Sequence, residues 1–184
     1  AFKKAKGNFV VFIHDDDHWG SNFLKDEIKK LLSDNSAVAV YGKTIRYGTK
    51  FFKKENSINV FDRNLETRLN FFLKYNYGDK LIFSIFNKKK FKNMNFSNKI
   101  FSPEILFVFN ALLVGKILPS NKMVYYKRKH KIRNTKEIGK FYNIPNTFFR
   151  RHAVFVLIFF KILFLKSNKI NLLKTFFLYR FRIF

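Results

Sequence analysis

Three consecutive aspartates, Asp15, Asp16 and Asp17, follow the apolar run Phe9-Val10-Val11-Phe12-Ile13 and His14. The whole chain holds only 12 acidic residues against 37 lysines and arginines, so a quarter of its acid stands at one spot. Adjacent carboxylates repel one another and add nothing to a packed core. They gain from a bound cation. Hard divalent ions such as Mg²⁺ take one or two protein carboxylates and complete their shell with substrate phosphates and water. The same three residues would also serve as a solvated turn that caps the helix behind them.

The elements around this cluster can be read from hydrophobic pattern. Residues 8–13 read as a buried strand, continuous over Phe9–Ile13 rather than alternating, as in a parallel sheet, which puts the aspartates at a strand's carboxyl end, where open α/β sheets place ligands. A helix is expected from about Ser21, with Leu24, Ile28, Leu31 and Leu32 on one face and Asp26 and Glu27 in its early turns. Ala37-Val38-Ala39-Val40-Tyr41 reads as a second apolar strand, closed by Gly42. Residues 8–42 thus read as a βαβ unit. A helix is expected near 62–74 and a strand over Leu81–Phe86. Ser102-Pro103-Glu104 combines an N-cap, a proline at the first helical position and an early acid, so a helix runs from Ile105 to Val114 and stops at Gly115. Short strands are expected at Ile117-Leu118 and Met123–Tyr126.

Composition bounds the rest. A 184-residue chain that is 47% hydrophobic and carries 27 phenylalanines can bury a large core despite a net charge of +25. With no cysteine there is no disulfide framework and no thiolate metal site. The charge points to polyanionic partners: nucleic acid, anionic lipid or phosphorylated substrate. The start, Ala1–Gly7, is not a signal peptide, because no apolar segment succeeds the basic residues, and it reads as the middle of a longer protein. Past about Phe148 come two apolar-basic segments. Neither reaches the roughly 18–20 uninterrupted apolar residues of a spanning helix, and both suit interfacial helices.

The stretch Ala5-Lys6-Gly7-Asn8-Phe9-Val10-Val11-Phe12-Ile13-His14-Asp15-Asp16-Asp17-His18-Trp19 resembles the acidic-motif region of family 2 glycosyltransferases, nucleotide-sugar enzymes of GT-A fold. Asn22-Phe23-Leu24 and Tyr41-Gly42 continue the resemblance over residues 1–42. His14 stands where the family most often has its first aspartate. Either Asp16 and Asp17 match the later acids, with Asp15 at the variable position, or Asp15-Asp16-Asp17 is itself the D-x-D. His14 is then a ligand, a hydrogen-bond donor to the nucleotide, or a plain strand-end polar residue. His18 is expected at the surface, and Trp19 packed under the loop.

The resemblance implies roles for residues farther along the chain. Counting back from Gly115, Glu104 falls on the second acid of the family's pair, the catalytic base, and Pro103 on the first. Tyr125-Tyr126-Lys127-Arg128-Lys129-His130 resembles the family's Y-x-R-x-H segment, which places His130 near the metal or diphosphate and Arg128 against phosphate charge. The implied fold is α/β, a GT-A-type mixed sheet with flanking helices, incomplete at its N-terminus. Residues 1–133 would form the C-terminal portion of that domain, and residues 134–184 a basic, amphipathic helical tail. The implied activity is metal-dependent, inverting sugar transfer in cell-surface polysaccharide synthesis. Asp16, Asp17 and His130 would hold Mg²⁺ or Mn²⁺, Asp15, Asp16 and Arg128 would bind the donor, and Glu104 would deprotonate the acceptor. Partners would be a UDP- or dTDP-sugar, a glycan or lipid-linked acceptor, and anionic membrane under the tail, with the protein peripheral on the inner face of the cell membrane.

Two other classes compete. A basic nucleic-acid-binding protein fits the charge, but an acidic cluster at a strand end repels phosphate, and no zinc spacing or RNP-type motif is present. A non-catalytic, membrane-associated protein with a degenerate transferase fold would account for His14 and Pro103.

Overall fold

The apolar run Ala37–Tyr41 becomes the spine of the fold. In the computed structural model, which describes residues 2–20, 24–48, 51–55, 64–75, 78–91, 103–128, 148–165 and 169–180, the run is buried from end to end. The described elements are β1 (Phe9–Val10), β2 (His18–Trp19), α1 (Leu24–Leu32), β3 (Ala37–Gly48), β4 (Phe51–Glu55), α2 (Leu65–Tyr75), α3 (Gly78–Leu81), β5 (Ile85–Asn87), α4 (Pro103–Val114), β6 (Lys116–Arg128), α5 (Phe148–Leu163) and α6 (Lys169–Arg180). The protein is a mixed α/β structure. Its sheet runs β1-β5-β3-β6-β2, with β4 also paired to β3.

β3 pairs in parallel with β6 and antiparallel with β5 and β4. β1 is antiparallel to β5. β1 and β3 therefore point the same way, as a βαβ unit requires, but β5 lies between them in the opposite sense. The expectation of a continuous buried parallel strand over 8–13 is corrected. Only Phe9 and Val10 pair, and they do so at the sheet edge. Val10 and Phe12 face the main core while Val11 and Ile13 are exposed. An unbroken apolar run reports apolar content, not strand direction or two-sided cover.

Gly42 does not close the second strand either. β3 continues through it to Gly48. Opposite Gly42 the register slips: two steps on β3, from Tyr41 to Lys43, match five on β6, from Pro119 to Val124. β6 thus bulges by three residues, and the two short strands expected at 117–118 and 123–126 are one strand with this excursion. The excursion is held by Ser120. Its Oγ accepts hydrogen bonds from the Lys122 N–H at 3.2 Å and the Met123 N–H at 2.9 Å, and donates to the buried Glu27 carboxylate of α1. Glu27 lies in the first turn of α1 as expected, and is in addition a buried staple between helix and strand.

The helices form where propensity and capping agree. α4 begins at Pro103 and ends at Gly115, whose N–H still donates to the Ala111 carbonyl at 3.0 Å. The buried Arg68 Nε donates to the Leu112 carbonyl at 2.6 Å, satisfying one of the orphan acceptors at that helix end. α2 starts at Leu65 because the Asn64 side chain caps it, accepting from Glu66 N at 2.8 Å and Thr67 N at 3.3 Å. Residues 81–86 are buried but, against the expectation, mostly not a strand: Phe83 N and Ser84 N bond back to Lys80 and Leu81 carbonyls in a turn, and only Ile85–Asn87 pairs. Val154, Ile158 and Ile162 of α5 and Leu172 and Phe176 of α6 enter the same core as Leu69, Phe72, Phe109 and Leu112.

One ion pair locks the α1–β3 connection to β6. Lys116 Nζ lies 2.7 Å from Asp34 Oδ2, with the Lys116 side chain buried. Asp34 also accepts from the Ser36 N–H at 2.9 Å and the Ser36 hydroxyl at 2.6 Å. The Lys116 ammonium first, and Ser36 second, hold the Asp34 carboxyl down to about 2, against an ordinary 3.8. A carboxylate depressed in the folded chain contributes stability above its unfolded value and loses it as pH falls from near 4 through the folded value. The thermal midpoint should therefore drop more steeply between pH 4 and 2 in the natural chain than in Asp34→Asn. Equal slopes in the two proteins would show that the pair contributes nothing.

Candidate metal centre

The acidic loop hangs between two short strands. It leaves the edge strand β1, is tied to the core by Phe12, and re-enters the sheet as β2 against the far end of β6. Phe12 meets Phe107 of α4 at 5.3 Å and Phe86 at 6.2 Å between ring centroids. Within the loop the Asp17 N–H donates to the His14 carbonyl at 3.3 Å, which folds residues 14–17 into a tight turn.

The turn separates the three aspartates into different environments. Asp15 is exposed. Asp16 is half-buried, and its main-chain carbonyl accepts from the Tyr47 hydroxyl at 3.3 Å. Asp17 is buried, with only 1% of its side chain exposed. A buried carboxylate must be paired, and this one is. Its Oδ1 accepts the Arg128 main-chain N–H at 2.7 Å, its Oδ2 accepts the Tyr125 hydroxyl, and His14 Nδ1 lies 3.3 Å from Oδ2. Burial, and then the hydrogen bond to Asp17, push the Tyr125 hydroxyl far above its usual range, so it stays protonated and donating.

One ligand atom from each of His14, Asp16 and Asp17 lies within 4.8 Å of the others. Among the described residues this is the group of three side chains able to hold a metal ion. Two carboxylates and an imidazole suit a divalent ion that accepts both oxygen and nitrogen, which favours Mn²⁺ over the more strictly oxygen-seeking Mg²⁺. Oδ1 of Asp17 accepts one hydrogen bond and keeps a further lone pair, so Asp17 retains coordinating capacity. His14 Nδ1 lies close enough to Asp17 Oδ2 for the two to face one ion.

The other residues singled out from sequence lie around this group or apart from it. Arg128 reaches the loop through its main-chain N–H, while its side chain is on the exposed end of β6. Glu104 sits half-buried in the first turn of α4 and is not one of the three converging side chains. It lies one helical turn from Phe107, the residue that packs on Phe12, so α4 abuts the start of the acidic loop. His130 lies outside the described residues. His18 is exposed and stacks on Tyr126 at 4.7 Å, and Trp19 packs against Tyr125 at 5.0 Å beneath the loop, both as expected.

Three neighbours were not foreseen. Tyr125 closes the loop onto β6. Phe83 stacks on Tyr125 at 4.1 Å and takes the edge of His14 at 5.0 Å. Lys127 Nζ stands 5.0 Å from the centre of the Phe83 ring. Side chains alternate along a strand, so Lys127 shares the face of Tyr125 and Arg128 does not. That alternation was the available signal that Lys127, and not Arg128, shares the Tyr125 face. No family model matches the chain, and no curated protein matches it significantly.

Proposed function

We propose that this chain carries the metal-binding and acceptor-side portion of an inverting nucleotide-diphospho-sugar transferase of GT-A type. The observation that supports this reading is the convergence of His14, Asp16 and Asp17 in one turn between β1 and β2. In this reading Asp16 and His14 hold a divalent cation, with Asp17 either a third ligand or the carboxylate that fixes His14. The bound ion supplies positive charge to the diphosphate of a UDP- or dTDP-sugar as it leaves. Lys127 adds a second positive charge on the same face. Glu104 takes the proton of the acceptor hydroxyl. The hydroxyl oxygen then forms its bond to the anomeric carbon as the bond to the diphosphate oxygen breaks. The acceptor is a glycan or lipid-linked hydroxyl. The mixed sheet, and the packing of Phe107 of α4 on Phe12 beside the acidic turn, are compatible with this reading.

Two measurements on the protein test this. Mn²⁺ affinity, followed by the resonance of the free ion, should fall at least about tenfold in Asp16→Asn and change little in Asp15→Asn, a difference of about 1.4 kcal/mol. Release of UDP from UDP-sugars should require the ion. Unaltered Mn²⁺ binding in Asp16→Asn would sink the metal site, and UDP release that survives chelation would sink the metal-dependent mechanism.

A further inference from the structure

α5 is apolar on both sides. Val154, Ile158 and Ile162 face the core, at the four-residue spacing of one helix face. Val156, Leu157, Phe160 and Phe164 fall on the opposite side and are exposed, Phe160 by 50% and Phe164 by 82%. The surface continues onto α6. Phe159 meets both Phe160 and Phe177 at 5.8 Å, and Phe177, Leu178 and Ile170 are also exposed. A helix that is hydrophobic all round needs cover on both sides, and an exposed apolar surface of this kind marks an interaction site.

We infer that the outward faces of α5 and α6 dock flat on an anionic lipid bilayer. Over its 16 described residues α5 is about 24 Å long, short of the roughly 30 Å hydrocarbon core. Among the described residues no helix is long and apolar enough to cross a membrane. Charge decides the occupant. Lys161 and Lys174 are exposed on these two helices, in a chain of net charge +25. Two copies at that charge repel each other, whereas anionic headgroups attract them while the acyl boundary takes up the aromatic rings. The buried faces hold both helices against α2 and α4, so the surface is already formed before it meets the lipid. α5 and α6 carry this surface by themselves, and it stands or falls separately from the metal centre.

The test is co-sedimentation of the whole chain with vesicles of equimolar phosphatidylcholine and phosphatidylglycerol, and with phosphatidylcholine alone. Binding is expected to the mixed vesicles, weakening with salt. The double substitution Phe160→Ser and Phe164→Ser should weaken it about tenfold or more, with circular dichroism and thermal midpoint unchanged because both side chains lie outside the core. In a separate variant, Phe164→Trp, the added indole should shift its emission to the blue on binding and be quenched by brominated acyl chains. No binding to the mixed vesicles overturns the inference. So does a double variant that binds as well as the natural chain, or an added indole that brominated lipid does not quench. Self-association that the double variant abolishes, without vesicle binding, would assign the face to a second copy instead.

Discussion

Asp17→Ala is expected to destabilise the protein by about 3–5 kcal/mol in urea unfolding, whereas Asp15→Ala should change it by less than about 0.5. The two residues differ by two positions in sequence and carry the same charge. Their environments differ. Asp17 is buried and receives the Tyr125 hydroxyl and the Arg128 N–H. Its removal strands the buried Tyr125 hydroxyl, at roughly 1–3 kcal/mol, and takes a charged acceptor, worth roughly 1.5–3 kcal/mol, from the part-buried Arg128 N–H. Tyr125 cannot turn to water, since its side chain is enclosed by Phe83 and Trp19. A competing effect runs the other way. Deleting one of three neighbouring acids relieves repulsion, but removal of Asp15 brings the same kind of relief, so it does not offset the contrast between the two variants. The loss of buried hydrogen bonds wins. Tyr125→Phe in the same background removes one stranded donor, so the double variant should be more stable than the sum of the single effects implies. Equal stability of Asp17→Ala and Asp15→Ala would show that the buried network contributes nothing.

That contrast marks what could and could not be seen in the sequence. Local signals were legible. Pro103, Glu104 and Gly115 bounded α4, and the acidic turn was placed after a strand because an apolar run precedes it. Within the turn, residue identity alone could not rank the aspartates. Their ranking is set by Tyr125, 108 positions away, and nothing in the local pattern of either residue announces that contact. The direction of β1 was invisible for a related reason. Hydrophobic runs record how much apolar surface a segment offers, while direction depends on which strand arrives beside it. Here the neighbour is β5, antiparallel and drawn from residues 85–87. Arg128 shows a third limit: its contribution to the loop is a main-chain N–H, which every residue but proline carries, so its side-chain chemistry pointed elsewhere.

The second large effect is expected at Gly42. Gly42→Ala should cost about 3 kcal/mol, the upper part of the range for overpacking, and lower the midpoint by roughly 10 °C for a chain of this size. A Cβ built there would stand 2.0 Å from the Met123 carbonyl oxygen and 2.6 Å from its carbon. Those are backbone atoms of the β6 bulge, held by Ser120 and Glu27, and they cannot rotate aside as a side-chain tip can. Stiffening of the unfolded chain by alanine returns only about 0.4–1 kcal/mol. Gly20→Ala is the control, since its nearest neighbour would be at 3.6 Å, an ordinary contact. The consequence reaches the metal centre, because the bulge sets the register in which Thr44 meets Tyr125 and Tyr47 meets Arg128. A chain that relieves the clash by moving β6 displaces both donors to Asp17. Gly42→Ala should therefore lose Mn²⁺ affinity along with stability, and Gly20→Ala neither. Stability lost with metal binding intact would mean that β6 keeps its register and the strain is absorbed within the bulge.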